Sequence, residues 1–184
     1  MCKSLLFSYA SHCTTNNSKF AGLQSRSVKK RITLFFLIPL LFLFSSPNIA
    51  ETIVEISPLD FGTIAIKDNS APYTHRVRYT GQILNDPEII IVSPGSPAEY
   101  LITGLPPSTL ITISVTSPTG VTTSPAAGAS NEQFTISNFD YLPSVTSDAT
   151  GEYTLFVGAT ITTSGTNTYE DTLYVTTMTI NISY

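Results

Sequence analysis

The chain has few of the residues that carry most enzyme and metal chemistry. Among 184 residues there are two cysteines, two histidines and no tryptophan. Both cysteines, Cys2 and Cys13, lie near the N-terminus, so residues 51–184 have neither disulfide nor thiol chemistry. His75 is the one histidine in that part, which argues against a transition-metal site. We therefore expect no cofactor and no metal.

Basic residues are also scarce after residue 50, where Lys67, Arg76 and Arg78 stand against all thirteen acidic residues, a net charge of −10. Such a charge repels nucleic acid and anionic lipid. Nucleic acid is thus excluded as an expected partner.

The first fifty residues have the opposite chemistry. A basic cluster, Lys29-Lys30-Arg31, precedes an apolar run of 13 residues from Ile32 to Phe44, and S-S-P-N-I-A follows. The run is shorter than the roughly 17–25 residues that span a bilayer. The pattern is typical of a signal peptide cleaved after Ala50, which leaves no permanent membrane anchor. We predict an exported protein located in the periplasm, at the cell surface or outside the cell. The residues before Lys29 form a long extension, and Val28 is an alternative start.

Residues 51–184 have the size of one domain and show no helical period. About eight short segments with β-strand patterning are separated by turns rich in Pro, Gly, Ser and Asn. They predict an all-β fold, an antiparallel β-sandwich. Expected features include one strand through His75, Val77 and Ile83, a fully buried strand at Ile89–Val92, and a hairpin at 164–168 that leads into the last strand.

The last strand has the clearest alternation in the chain. Met178, Ile180, Ile182 and Tyr184 share one face, which we predict to be buried. A second β-prone segment, residues 51–57, contains Ile53, Val54 and Ile56 and ends before Pro58. Gly62 lies soon after it and suggests a bulge or a close backbone approach.

No group of residues has the spacing of a catalytic site. A lone histidine on the apolar side of a strand is more often a core-edge residue than a base or ligand. Asp148 and Glu152 flank a turn and could hold calcium weakly, although turn acids are usually solvated or bond their own backbone. We predict that the protein is not an enzyme.

Three segments carry a family resemblance: L-D-F-G-T-I at 59–64, A-E-Y-L-I-T-G at 98–104, and L-F-V-G-A-T-I at 155–161 before a terminal N-I-S-Y. In this order the chain resembles the bacterial family numbered 4402 among domains of unknown function. More distantly it is similar to the spore coat protein U family, which includes subunits of archaic chaperone–usher pili. The resemblance implies an immunoglobulin-like sandwich, export to the envelope and, as in the pilus relatives, polymerisation by donor-strand exchange.

Two hypotheses follow for function. The first is a structural or pilin-like subunit that pairs edge strands with copies of itself and uses a periplasmic chaperone and an usher. Its candidate donor segment is Ile53, Val54 and Ile56, and its candidate assembly strand is the one that ends at Tyr184. The second is a self-sufficient monomeric binding module for a glycan or a host surface.

Overall fold

The structure, a computed structural model, describes residues 2–5, 50–123, 132–166 and 168–184. The apolar run of the predicted signal peptide lies outside this part. The strands, in chain order, are β1 (Cys2–Leu5), β2 (Thr52–Ser57), β3 (Gly62–Ile66), β4 (Thr74–Val77), β5 (Ile83–Asn85), β6 (Ile89–Ser93), β7 (Ala98–Thr103), β8 (Leu110–Thr116), β9 (Thr135–Asp140), β10 (Ser144–Thr146), β11 (Tyr153–Thr162) and β12 (Thr179–Ser183). No element in the described part of the chain is a helix that could cross a membrane.

Among the described residues all strand pairs are antiparallel, and the strands form three sheets. The largest has the order β2-β7-β11-β4-β5, and β9 also pairs with β11. The others have the orders β10-β8-β12 and β1-β3-β6. The predicted all-β fold, an antiparallel β-sandwich, is confirmed.

One hydrophobic cluster lies between the sheets, and it is built from alternate residues of the central strands. On β7 and β8 the buried and more exposed residues alternate without interruption. On β11 the alternation gives way to continuous burial from Val157 to Ile161. Strand β11 is the centre of the largest sheet, because three other strands pair with it.

The predicted strand through His75 and Ile83 is wrong as a single element. The chain reverses after β4 and returns as β5, with Val77 opposite Ile83. Arg78 N–H donates to the Gln82 carbonyl at 2.8 Å, and Gly81 takes a φ of +81° in the turn. The alternating pattern continued through the turn by coincidence, so the reversal left only the glycine as a signal.

The expectation that Ile89–Val92 is fully buried is also wrong. These residues lie in β6, but Ile89 is buried while Ile90 and Val92 are 45% and 54% exposed. Strand β6 ends its sheet and covers the core with one face. A continuous apolar run therefore marks a half-buried edge strand here.

The terminal strand exists, but the predicted hairpin at 164–168 does not lead into a neighbour of β11. Strand β12 pairs with β8 in another sheet. The connecting residues pass from one sheet to the other and bury Tyr169 and Tyr174 on the way. Two shorter elements precede β11 in the chain, the end of β9 and the short β10.

Gly62 is confirmed as a site of close backbone approach. It has a φ of +77°, and a Cβ placed on it would lie 2.1 Å from the Ser93 carbonyl oxygen. The register of β3 against β6 shifts between Thr63 and Ile64. Leu59 and Phe61, on either side of Asp60, are fully buried. They anchor the start of β3 in the hydrophobic core.

Candidate assembly edges

Strand β2 is an edge strand of the largest sheet. It pairs with β7 with Thr52 opposite Thr103 and Ser57 opposite Glu99, and the register shifts between Glu55 and Ser57. No other strand in the described part of the chain pairs with its outer edge. That edge presents unpaired backbone donors and acceptors, which are a template for another strand.

The three candidate donor residues do not share one environment. Ile53 is partly buried and packs against the core. Val54 and Ile56 are 45% and 56% exposed. Four of the six residues of β2 are exposed, so its attachment rests largely on the backbone ladder with β7.

Glu55 lies on the same side of β2 as Ile53, opposite the buried Tyr100, but is itself exposed. The Tyr100 hydroxyl donates to Glu55 Oε2 at 3.3 Å. A charged residue on an edge strand discourages indiscriminate pairing with other edges. Sequence reasoning missed this pair, and its one signal was an acid at an apolar position of an alternating segment.

The outer face of this sheet carries further apolar side chains. Val54 lies opposite Leu101 on β7. On β11, Phe156 points to the same face and is 40% exposed, and it lies opposite Glu99. The β2 edge is therefore continuous with a partly apolar outer surface.

The candidate assembly strand lies in a different sheet. Met178 and Ile180 are buried as predicted, Ile182 is partly buried, and Tyr184 is 61% exposed. The prediction that all four face inward is wrong for Tyr184, because it lies beyond the last paired residue, Ser183. The structure does not bring β2 and β12 together as strand neighbours.

A third edge belongs to β3. Strand β1 pairs with it, with Cys2 opposite Ala65 and Leu5 opposite Gly62. Strand β1 comes from the segment predicted to be removed on export, and β3 itself, G-T-I-A-I, has no charged residue. Loss of residues 1–50 would leave this edge without that partner.

His75 is fully buried. Its Nε2 lies 3.1 Å from the Phe61 carbonyl oxygen, so in the neutral ring Nε2 carries the proton and donates. Nδ1 has no hydrogen-bond partner among the described residues. Burial lowers the pKa of His75, only partly offset by the hydrogen bond to Phe61. Burial shields the ring from solvent and disfavours its charged form, which suits a core residue.

Asp148 uses its carboxylate on its own turn. Oδ1 accepts hydrogen bonds from the backbone N–H groups of Thr150 and Glu152, at 2.9 and 2.8 Å, and from the Thr150 hydroxyl at 2.8 Å. These bonds, led by the one from Glu152, lower the pKa of Asp148. In the described ranges no three acidic, histidine or cysteine residues gather as a metal site would require.

The model of a family of domains of unknown function, DUF4402, matches residues 52–184. The chain belongs to this family. No curated protein and no solved structure is detectably similar to it.

In this DUF4402 domain the match begins at Thr52, the first residue of β2, and ends at Tyr184. The family domain therefore includes both the β2 edge and the terminal strand. The named family has no assigned activity, so functional conclusions depend on the geometry.

The DUF4402 domain also has an open polar depression on its surface. It is lined by Lys67, Asp68, Asn69, Ser70, Thr166 and Thr168. Lys67 Nζ donates to the Pro87 carbonyl, and both Asp68 carboxylate oxygens accept from Ser70. These charged groups serve the local loop, and the lining has no aromatic ring on which a sugar could stack.

Proposed function

We propose that the protein is an exported, non-enzymatic envelope or surface protein that acts as a structural or pilin-like subunit. Copies of the chain assemble through edge-strand pairing of the donor-strand type, with residues 51–57 as the donated segment. The observation that carries this proposal is β2, an N-terminal edge strand with an open outer edge and two outward apolar side chains.

Strand addition gives affinity through main-chain hydrogen bonds and specificity through alternate side chains. Strand β2 supplies both, because Val54 and Ile56 are exposed while Ile53 contacts the core. A periplasmic chaperone and an usher are the proposed assembly partners, since an open edge needs protection before a subunit joins.

The non-enzymatic part of the proposal is supported by the buried His75 and by Asp148, whose carboxylate is bonded to its own turn. General acid–base catalysis needs a titratable group within reach of a substrate. The order of the three family segments supports the further proposal of kinship with spore coat protein U and the archaic pilins.

The test is deletion of residues 51–57 from the full chain, followed by isolation of the exported protein and measurement of its mass in solution by light scattering. We expect the unaltered protein to form oligomers and the deletion variant to remain monomeric with a cooperative thermal transition. Substituting the exposed Leu142 with Ser, outside β2 and β7, is the matched control and should leave assembly unchanged.

Oligomers that persist after the deletion would exclude residues 51–57 as the donor. An unaltered protein that stays monomeric at all concentrations would overturn the assembly function and favour the monomeric binding module.

A further inference from the structure

We infer that the acceptor for the donated segment is the edge of β7, where β2 of one copy replaces β2 of another in the register seen within a single chain. This inference rests on the proposed function and identifies the surface that accepts the donor. The terminal strand β12 then stays paired with β8 in its own sheet and does not form the acceptor edge.

The acceptor is built without help from β2. Strand β7 is paired along its other edge with β11, with Tyr100 opposite Leu155 and Ile102 opposite Tyr153. Tyr100 and Ile102 are almost fully buried. Departure of β2 would therefore expose an edge that remains in place.

The end of the acceptor edge is shaped for an incoming backbone. Gly104, just after β7, has a φ of +79°, and a Cβ there would lie 3.2 Å from the Cα of Glu51, the first residue that remains after the predicted cleavage. The chain that enters β2 thus runs close against Gly104. Further along the β2–β7 pairing, the Tyr100 hydroxyl donates a hydrogen bond to the Glu55 carboxylate.

Strand β2 can detach from β7 only by rotation at one hinge. Ser57 is the last residue of β2, Pro58 follows, and Leu59 is fully buried. The swing must therefore take place at Ser57–Pro58, beside the register shift in the ladder. Once residues 1–50 are removed, β2 is the N-terminal end and leaves without threading through the fold.

Exchange costs little interaction energy, because a second copy restores the same hydrogen bonds and side-chain contacts that the first one loses. The balance then depends on the hinge and on protein concentration. Direct pairing of two β2 edges is disfavoured, because a symmetric antiparallel pair would bring two copies of Glu55 close together.

The experiment uses disulfide trapping in the exported protein expressed from the full chain, with Cys2→Ser and Cys13→Ser in every variant so that introduced thiols are the only ones before and after cleavage. Val54 and Leu101 lie opposite each other on the outer face. Protein carrying Val54→Cys is mixed with protein carrying Leu101→Cys, oxidised mildly and analysed by non-reducing gel and mass spectrometry.

We expect the 54–101 linkage to exceed the 54–54 and 101–101 linkages by about tenfold, because strand pairing holds the two thiols at an effective concentration in the millimolar range. The matched control mixes Ser114→Cys with Asn181→Cys, exposed residues that face each other on β8 and β12. This mixture should show no such excess. Should either β2–β7 variant fail to fold, Thr52→Cys with Thr103→Cys probes the same ladder.

A dominant 54–54 linkage would overturn the inference in favour of edge-to-edge pairing of β2. Equal linkages in a protein whose oligomers still require residues 51–57 would place the acceptor elsewhere and leave the proposed function standing. Equal linkages in a protein that never forms oligomers would overturn both.

Discussion

At the scale of single residues, the structure distinguishes glycines that appear alike in the sequence. Gly62 and Gly81 both have a positive φ, of +77° and +81°. At Gly62 a Cβ would meet the Ser93 carbonyl, whereas at Gly81 it would meet nothing within 4 Å. Gly62 is therefore required both because a side chain would clash there and because its φ is positive, whereas Gly81 is required for its positive φ alone.

We expect Gly81→Ala to lower the free energy of unfolding by about 1–2 kcal/mol, the cost of a left-handed alanine, and Gly62→Ala by about 3–5 kcal/mol, since crowding adds to it. Urea denaturation of both variants measures the difference. Equal losses would contradict the close approach at Gly62.

His75 provides a pH-dependent prediction at the same scale. Its folded-state pKa is lowered by burial from the ordinary value of 6.5. The unfolded chain therefore binds the proton more readily. Stability is complete above pH 6.5 and declines as the pH falls below 6.5 toward the folded-state pKa.

We expect His75→Gln to remove this decline, at a cost of about 1–3 kcal/mol at pH 8 for altered packing. The check is urea denaturation of both proteins at pH 8, 6.5 and 5. The same slope in the two proteins over that range would show that His75 does not cause it.

At the scale of elements, aromatic packing holds the connection between β11 and β12. Tyr169 stacks on Phe134 with ring centroids 4.3 Å apart, and Tyr174 meets Phe134 edge-on at 5.0 Å. The Tyr174 hydroxyl donates to the Glu170 carbonyl at 3.1 Å, and burial raises the pKa of Tyr174 to about 12. This aromatic cluster packs the segment that connects β11 in one sheet to β12 in another.

We expect Tyr174→Phe to cost about 1 kcal/mol for the lost hydrogen bond and Tyr174→Ala about 3–5 kcal/mol for the cavity. Tyr184→Ala, at a tyrosine that is 61% exposed, is the control and should change stability by less than about 0.5 kcal/mol. Thermal denaturation followed by circular dichroism measures all three. A large loss at Tyr184 would mean that the terminal tyrosine faces the core after all.

The passage of the chain from one sheet to the other also explains why the position of the terminal strand was only partly predictable. Alternation identified the buried faces of Met178 and Ile180. It contained no information on which strand lies beside β12, because pairing with β8 and pairing with β11 need the same pattern.

At the scale of the whole molecule, charge opposes the proposed assembly. Residues 51–184 carry a net charge of −10, and copies that approach one another repel. Salt screens such repulsion within a Debye length of about 10 Å at 0.1 M.

We therefore expect self-association to increase several-fold as ionic strength rises from about 0.02 to 0.3 M, a range that strongly shortens the screening length. Sedimentation velocity at a series of salt concentrations measures it. The double variant Glu170→Gln/Asp171→Asn, at exposed acids outside β2 and β7, should associate more readily at low salt. Association that weakens with added salt would indicate ion pairs across the interface.

The sequence by itself determined the fold class, most strand positions and the lack of cysteine after residue 50. These depend on composition and on local alternation, which each segment shows on its own. The β4–β5 reversal was hidden, because the pattern ran on through its turn.

Only the tertiary structure decided which edges are open. Strand β2 lies beside β7 with Glu55 facing Tyr100, and β12 lies beside β8 in another sheet. Strand neighbours are chosen by the burial and hydrogen bonding of the whole chain at once, and residues far apart in sequence contribute equally to that choice.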